Sequence, residues 1–238
     1  DADTVAVLAA LGAGARIVGG AVRNHLMGEP VLDIDIACVE TPEKSQALLE
    51  AKGIKVVPTG LQHGTITAVM PRRQFEITTL RVDVKTDGRH ADVAFTGDWL
   101  EDANDPLGTG LDDLSARHIR FIGDAATRIR EDYLRVLRFF RFQAWYGKGE
   151  PDAEGLNACA EARDGLTQLS GERVRDELLK IAGADQAGSA FRQLAATGIL
   201  SVVLPEASRL DRFEHLVDIE ANQLFTSDAL LRLASMFE

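Results

Sequence analysis

The fold turns on one stretch, "RIVGGAVRNHLMGEPVLDIDIACVE", residues 16–40. It reads as an apolar strand, a Gly-Gly turn, a short helix and a second strand. Residues 16–19 and 32–38 carry the strand signals, with "AVRNHLMG" helical between them. The second strand holds Asp33 and Asp35 among Leu32, Ile34 and Ile36. Side chains alternate along a strand, so both aspartates share one face and Ile34 takes the other. Two bare carboxylates that close repel each other, and burying them unpaired is costly. A hard cation such as Mg²⁺ resolves the conflict, because it takes one or two carboxylates plus phosphate oxygens. The alternative is a solvent-facing pair at a sheet edge. Asp-x-Asp also occurs at Asp1 and Asp3, where it marks only an exposed end. The setting favours the metal. Gly19 and Gly20 open a turn from strand into helix, where unpaired backbone N–H groups attract phosphate. Arg23 lies one turn further and adds positive charge. Such a site would hold metal against a triphosphate, activate an attacking hydroxyl and stabilise a leaving pyrophosphate. "GAGARIVGG" is no dinucleotide fingerprint, because Gly12 and Gly14 precede the strand.

The 238 residues fit one large domain or two small ones. With 45% hydrophobic and 26% charged residues, the composition is that of an ordinary soluble chain. No apolar run of about 18 residues exists to cross a membrane. The opening "DADTVAVLAALGAG" lacks a signal-peptide pattern. Cys38 and Cys159 sit in apolar contexts far apart, which fits a reducing cytoplasm better than a disulfide. The net charge of -11 argues against nucleic-acid binding by bulk electrostatics. A local exception is Arg117, Arg120, Arg128, Arg130, Arg135, Arg138 and Arg141, a basic run with few acids between.

Outward from the opening stretch the first half alternates strand and helix signals. "TPEKSQALLEAKG" carries Thr41 as N-cap, Pro42 at the first helical position and Gly53 as terminator. "IKVVPTG", "GTITAVM" and "QFEITTLRVDV" are rich in Val, Ile and Thr and read as strands, the last two joined by the hairpin-sized link "PRR". From about Gly123 the pattern turns helical. "DAATRIREDYLRVLRFFRFQAWYG" spaces Ile129, Tyr133, Leu134, Leu137, Phe140 and Ala144 as one helix. "DAEGLNACAEARDG", "SGERVRDELLKIAGA" and "DQAGSAFRQLAATG" continue as helices, with Ser170 as the N-cap of the second. The expected architecture is α+β, a mixed sheet with helices over residues 1–123, then an all-helical region over 124–238.

Several motifs occur together and in order: "GGAVRN", "DIDIA", "PTGLQHGTITAV", "FEITTLR", "TDGRHADVAFTGDWLEDA", "DPLGTGLDDL", "RFIGDAATRIREDYLRVLRFFRF" and "SGERVRDELLKI". On these the chain resembles the bacterial class II tRNA nucleotidyltransferases, the CCA-adding enzymes, which share ancestry with bacterial poly(A) polymerases. The resemblance runs from about residue 5 to at least residue 205. It implies a polymerase-β-like nucleotidyltransferase head followed by a helical neck and body. It implies addition of C, C and A to the 3′ end of tRNA from CTP and ATP without a nucleic-acid template. The cofactors would be two Mg²⁺ ions, with Mn²⁺ as an alternative. No membrane and no obligate protein partner are implied.

Carried over by motif, Asp33 and Asp35 would bind the metals, with Glu76 on the neighbouring strand as candidate third acid. Gly19, Gly20 and Arg23 would contact the triphosphate. The "EDxxR" element runs from Glu131 to Arg135. Its Asp132 and Arg135 would act as a protein template for the incoming base, with Arg138 alongside. Asp offers acceptors to an exocyclic amine and Arg offers donors to a ring nitrogen or carbonyl. A spacing of three would place both on one helix face, and the alternative is an ordinary surface ion pair. Arg81, Asp83, Arg89 and His90 match the family's flexible loop. Gly108 and Gly110 match its hinge. "GLQHGTITAV" favours CCA addition over a poly(A) polymerase; partial addition of A alone and a catalytically inactive RNA-binding relative are the other readings.

The chain departs from the family in three places. Asn24 stands where many relatives have Asp. Relatives continue beyond this length with a longer helical body and tail. An element like Arg-Arg-Asp-Phe-Thr-Ile-Asn-Ala normally follows "EDA", whereas here Ala103 runs straight into Asn104. Losing that strand would open sheet edges beside the metal pair. The expectation is therefore residues present but unobserved there, with a Cα separation well beyond the ~3.8 Å of bonded neighbours.

Overall fold

The computed structural model describes residues 1–61, 64–86, 91–99, 108–222 and 226–237. Two units divide between Gly108 and Thr109, ahead of the boundary expected after residue 123. The reason is packing: Ile119 and Phe121 lie against the helical core, and the Lys148 N–H donates to the Arg117 carbonyl at 3.0 Å. Ala103, Asn104, Arg89 and His90 lie outside the described residues, so the expectations placed on them do too.

In the first unit α1 (Ala2–Leu11) leads into β1 (Ala15–Val18), α2 (Gly20–Met27), β2 (Asp35–Cys38) and α3 (Pro42–Glu50). The Thr41 side chain caps α3 by accepting from the Lys44 N–H. β3 (Lys55–Gly60), β4 (Thr65–Val69) and β5 (Gln74–Thr79) follow, and the strands assemble in the order β1-β2-β5-β4-β3. The β2–β5 pair is parallel and the others antiparallel, so the sheet is mixed. The "PRR" hairpin is present, closed by the Met70 N–H on the Arg73 carbonyl at 3.0 Å.

One register row crosses the sheet as Ile17, Ile36, Ile77 and Ile66, all turned to the core. The adjacent row is Val18, Asp35, Glu76 and Thr67. Period-two alternation thus gives the sheet one apolar face against α1 and α3 and one face bearing carboxylates and hydroxyls.

"QFEITTLRVDV" is not one strand. It breaks at the fully buried Leu80, whose N–H donates to the Cys38 carbonyl at 2.9 Å and whose carbonyl accepts from the Thr96 N–H at 2.9 Å. β6 (Arg81–Thr86) and β7 (Ala91–Phe95) then form a separate two-stranded sheet. Arg81 and Asp83, expected in a loop, therefore lie in a strand, with Asp83 in register with Val93.

The second unit contains α4 (Gly110–Ala116), α5 (Ala125–Glu131), α6 (Leu134–Tyr146), α7 (Ala153–Glu161), α8 (Gly171–Ala182), α9 (Ala187–Ala196), α10 (Ile199–Val203), α11 (Leu210–Asn222) and α12 (Ala229–Ala234). Its core centres on Phe140, Phe191 and Phe213, the last two with ring centroids 4.4 Å apart. Arg232 on α12 is buried. It pairs with buried Glu220 on α11 and donates to the carbonyls of Ala182 at 2.7 Å and Ala184 at 2.9 Å, tying the unit's last helix to the end of α8.

The single helix expected over "DAATRIREDYLRVLRFFRFQAWYG" is two helices. Asp132 leaves the helical region at φ -155, ψ 109. Its Oδ1 then accepts the Leu134 N–H at 3.1 Å, opening α6. Asp side chains compete in this way with the helical backbone, and periodicity alone does not register it. Tyr133 follows at the break and packs against Gly165, where a Cβ would fall 2.0 Å from the ring.

Candidate nucleotide-binding and metal site

The strand expected over 32–38 begins only at Asp35. β1 ends at Val18, the register partner of Asp35, so among the described residues Asp33 has no strand partner and stays in the irregular segment ahead of β2. The alternation survives nonetheless: Asp33 and Asp35 are exposed, Ile34 and Ile36 buried. Parallel pairing puts Glu76 directly beside Asp35, on the same face and also exposed. None of the three carboxylates has a hydrogen-bond or ion-pair partner among the described residues. That excludes a structural salt-bridge role for them there.

Gly19 begins the turn with φ +65, in the region that favours glycine, and a Cβ there would lie 3.3 Å from Asp35 Oδ2. The missing side chain keeps open the space between the N-terminus of α2 and the carboxylate. Arg23 folds back over Gly20, with its Nη2 atom 3.4 Å from where a Gly20 Cβ would be. Asn24, which from sequence stands only as a departure from the family, holds it. The Asn24 Oδ1 accepts from Arg23 Nε at 3.0 Å and Nη2 at 2.8 Å, while its Nδ2 donates to the Pro30 carbonyl at 2.8 Å. Asn24 therefore joins the helix that bears Arg23 to the segment that leads to Asp33. An Asp in its place would lack the donor for Pro30.

The donors fit a divalent cation: hard carboxylate oxygens, unengaged, beside an opening that faces an arginine and backbone N–H groups. Among the described residues no three His, Cys, Asp or Glu side chains gather into a metal cage. The arrangement is that of an open site, whose remaining ligands would be water and substrate phosphate.

In the second unit the helix break changes the expected geometry of Asp132 and Arg135. Asp132 precedes α6 and Arg135 lies within it; the Arg135 N–H donates to the Asp132 carbonyl at 3.0 Å, but their side chains do not pair with each other. Asp132 Oδ2 accepts from Arg173 Nη2 at 2.8 Å, and Arg135 Nη1 pairs with Glu131 and donates to the Arg128 carbonyl at 2.8 Å. Arg173 lies in "SGERVRDELLKI", read from sequence only as a helix, and its guanidinium holds Asp132. Ser170 occupies the N-cap position of that helix without a side-chain cap bond. Arg135 and Arg138 line a cavity of about 240 Å³ together with Arg128, Phe139 and Phe142. A larger cavity of about 560 Å³, among Leu166, Val174, Leu178 and Leu230, holds none of these residues. Upstream, Asp124 caps α5 by accepting from the Thr127 N–H at 2.8 Å, and hydrogen bonds from Thr127 hold its carboxyl below the usual range.

Residues 15–106 match the Poly A polymerase head domain, and residues 150–210 match a domain described as "Probable RNA and SrmB- binding site of polymerase A". The chain is 38% identical over 248 positions to a mitochondrial CCA tRNA nucleotidyltransferase 1 of Mus musculus, covering 94% of this chain and 56% of the relative. It is 35% identical over 215 positions to a CCA-adding enzyme of Geobacillus stearothermophilus, covering 80% and 50%. The mouse alignment, at 248 positions, is longer than the 238-residue chain, so that relative carries residues with no counterpart here. The crystal structure of the Bacillus stearothermophilus CCA-adding enzyme in complex with CTP superimposes with a TM-score of 0.72 at 27% identity, covering 92% of this chain and 57% of that one. The chain spans about half the length of the curated relatives it matches. A mixed sheet with an open carboxylate face, a glycine turn beside it and a separate helical unit carrying Asp132 and Arg135 thus occur in one chain with these likenesses, and the chain belongs to the family of tRNA nucleotidyltransferases and poly(A) polymerases.

Proposed function

We propose that the protein adds CMP and AMP, without a template, to the 3′ end of tRNA from CTP and ATP, with release of pyrophosphate. The observation that carries this reading is the pair of unengaged carboxylates, Asp33 and Asp35, beside the Gly19–Gly20 turn and the Arg23 guanidinium. The names of the relatives, CCA tRNA nucleotidyltransferase and CCA-adding enzyme, support it, as does the complex of the Bacillus enzyme with CTP. Two Mg²⁺ ions held by Asp33 and Asp35, with Glu76 assisting, would supply Lewis-acid charge neutralisation for the transfer. The chain's own groups do the rest. The backbone N–H groups at Gly19 and Gly20 and the Arg23 guanidinium bind and orient the triphosphate.

Asp132 and Arg135 read the base. Each oxygen of Asp132 already accepts one hydrogen bond and keeps a lone pair for an exocyclic amine. Arg135 has five N–H donors, of which those on Nη1 are engaged by protein. CTP and ATP present an amine; UTP and GTP present a carbonyl there, which would leave an Asp132 acceptor unpaired and so be rejected. The head function, expected over residues 1–123, is assigned to the unit Asp1–Gly108, and the base-reading and tRNA-binding function to Thr109–Glu238. Arg138 would add phosphate or base contacts from the same cavity. Arg81, Asp83, Arg89 and His90 would influence the change from C to A addition.

The test is incubation of the full-length protein with tRNA ending at the discriminator base, Mg²⁺ and each nucleotide singly and together. CCA addition is expected, with loss of at least about 1000-fold in Asp35→Asn and Asp33→Asn while the fold persists, since among the described residues neither side chain has a partner to lose. Long tails from ATP alone would indicate a poly(A) polymerase, and A addition only to tRNA ending in CC would indicate a partial enzyme. RNA binding without any transfer would indicate an inactive relative.

A further inference from the structure

The face of the sheet that carries Asp35 also carries a cation–aromatic pair that nucleotide binding does not use. β1 and β2 are antiparallel with Val18 opposite Asp35 and Arg16 opposite Ala37. Ile17 and Ile36 take the core face, so Arg16 shares the open face with Asp35. Arg16 is the diagonal neighbour of Asp35, roughly 7–8 Å away across an antiparallel pair. It lies on the far side of Asp35 from the Gly19–Gly20 turn. Arg16 is exposed, and its guanidinium sits over the ring of Trp99, 4.4 Å from the centroid. Trp99 is half-buried, on a segment anchored by the Thr96 N–H to the Leu80 carbonyl at 2.9 Å and by the Asp98 N–H to Thr96 Oγ1 at 3.1 Å.

A guanidinium laid on an indole is fixed in plane on one side. Arg16 is exposed among the described residues, so its other face can stack a nucleobase and its N–H edge can reach a phosphate. The sheet thus has an order along β1: a phosphate-binding turn, then the carboxylates, then a stacking plane. In nucleotidyl transfer the acceptor hydroxyl attacks the α-phosphorus in line with the leaving pyrophosphate, so the acceptor and the triphosphate tail lie on opposite sides of that phosphorus.

We propose that the Arg16–Trp99 stack seats the 3′-terminal nucleotide of the acceptor RNA, with its base on the Arg16 guanidinium and its 3′ hydroxyl toward Asp35. The inference rests on the nucleotidyltransferase reading, which already sets the triphosphate at Gly19, Gly20 and Arg23. It also gives a chain of net charge -11 a local contact for RNA at its catalytic face, a stacking plane that itself carries the positive charge of Arg16.

The protein has two tryptophans, so Trp145→Phe leaves Trp99 as the sole indole reporter. Fluorescence of this variant is titrated with a short single-stranded RNA ending in CC, with the same RNA made abasic at its last position, and with CTP alone. Saturable change with the intact RNA, much reduced with the abasic one and small with CTP, is expected. Stacking of one base contributes about 1–3 kcal/mol, or roughly 5- to 150-fold. Arg16→Ala should therefore raise the acceptor Kd and KM by at least 5-fold with the KM for CTP changed less than about 2-fold. Trp99→Phe should fall between. Arg16→Lys should fail to restore affinity, because an ammonium offers charge without a plane. Full rescue by lysine, an equal response to the abasic RNA, or matched losses for acceptor and CTP would each overturn the proposal. Absence of transfer in the wild type would sink the functional reading alone, since the fluorescence titration reads acceptor seating without catalysis.

Discussion

Removing Arg173 tests whether Asp132 is held in place for base selection. The two side chains meet at 2.8 Å, with Asp132 12% and Arg173 32% exposed. A hydrogen bond to a charged group contributes about 1.5–3 kcal/mol when shielded. Exposure of Arg173 screens the interaction toward the ~0.2–1 kcal/mol of surface pairs. About 1 kcal/mol is the resulting expectation, or roughly 5-fold in an equilibrium or rate ratio. In Arg173→Ala the Asp132 carboxylate keeps its cap on Leu134 but loses the group that fixes its second oxygen. The preferences for CTP over UTP and ATP over GTP, measured as ratios of kcat/KM, should each fall about 5-fold, with smaller changes in triphosphate KM. In an Asp132→Ala background the same substitution should change selectivity no further, because its effect runs through Asp132. Arg175→Ala on the same helix is the control, since among the described residues Arg175 pairs with exposed Asp176 and not with Asp132. Selectivity losses that simply add in the double variant, or an Arg173→Ala enzyme that discriminates like wild type, would refute the reasoning.

Gly19→Ala should reduce nucleotide addition more than 10-fold, because the residue sits at φ +65 and the new Cβ meets Asp35 Oδ2 at 3.3 Å. Backbone strain there is about 1–3 kcal/mol, so a melting curve should show loss of head stability; wild-type activity would mean the turn has no part in the site. Arg232→Met should destabilise the helical unit by about 3–5 kcal/mol in denaturant titration, because it strands the buried Glu220 carboxylate. Arg232→Met combined with Glu220→Leu should recover much of that, and a double variant no better than the single would contradict the account. Burial of Cys159 pushes its thiol from 9.0 up to about 12. The unfolded chain then loses the proton first, so this contribution to stability is full below about pH 9 and declines as pH rises toward 12. Cys159→Val should flatten that alkaline loss in melts at pH 8 and pH 10.5, and an unchanged slope would assign it to other groups.

The alternation of Asp33, Ile34, Asp35 and Ile36 was legible because strand side chains have a period of two, and the glycine turn because its residues have few other uses. The β3–β5 strands, the "PRR" hairpin and the Thr41 cap were legible for the same local reasons. The break at Leu80 was not, since what ends the strand is a pair of hydrogen bonds to Cys38 and Thr96, distant in sequence. The break at Asp132 was not either. The apolar positions on both sides keep helical phase, and only a side-chain cap on Leu134 and an arginine from α8 show why the chain leaves the helix.

Residue type and short spacing were enough to read most of the elements, the carboxylate pair, the glycine turn beside it and the family. Which groups act together is a matter of packing. A parallel pairing placed Glu76 beside Asp35, and the folded units gave Arg23 to Asn24, Asp132 to Arg173 and Arg16 to Trp99. Apart from the adjacent Arg23 and Asn24, these partners are separated by some forty to eighty residues. Local pattern carries no information on such contacts, because they are set by register, helix packing and burial acting over the whole unit.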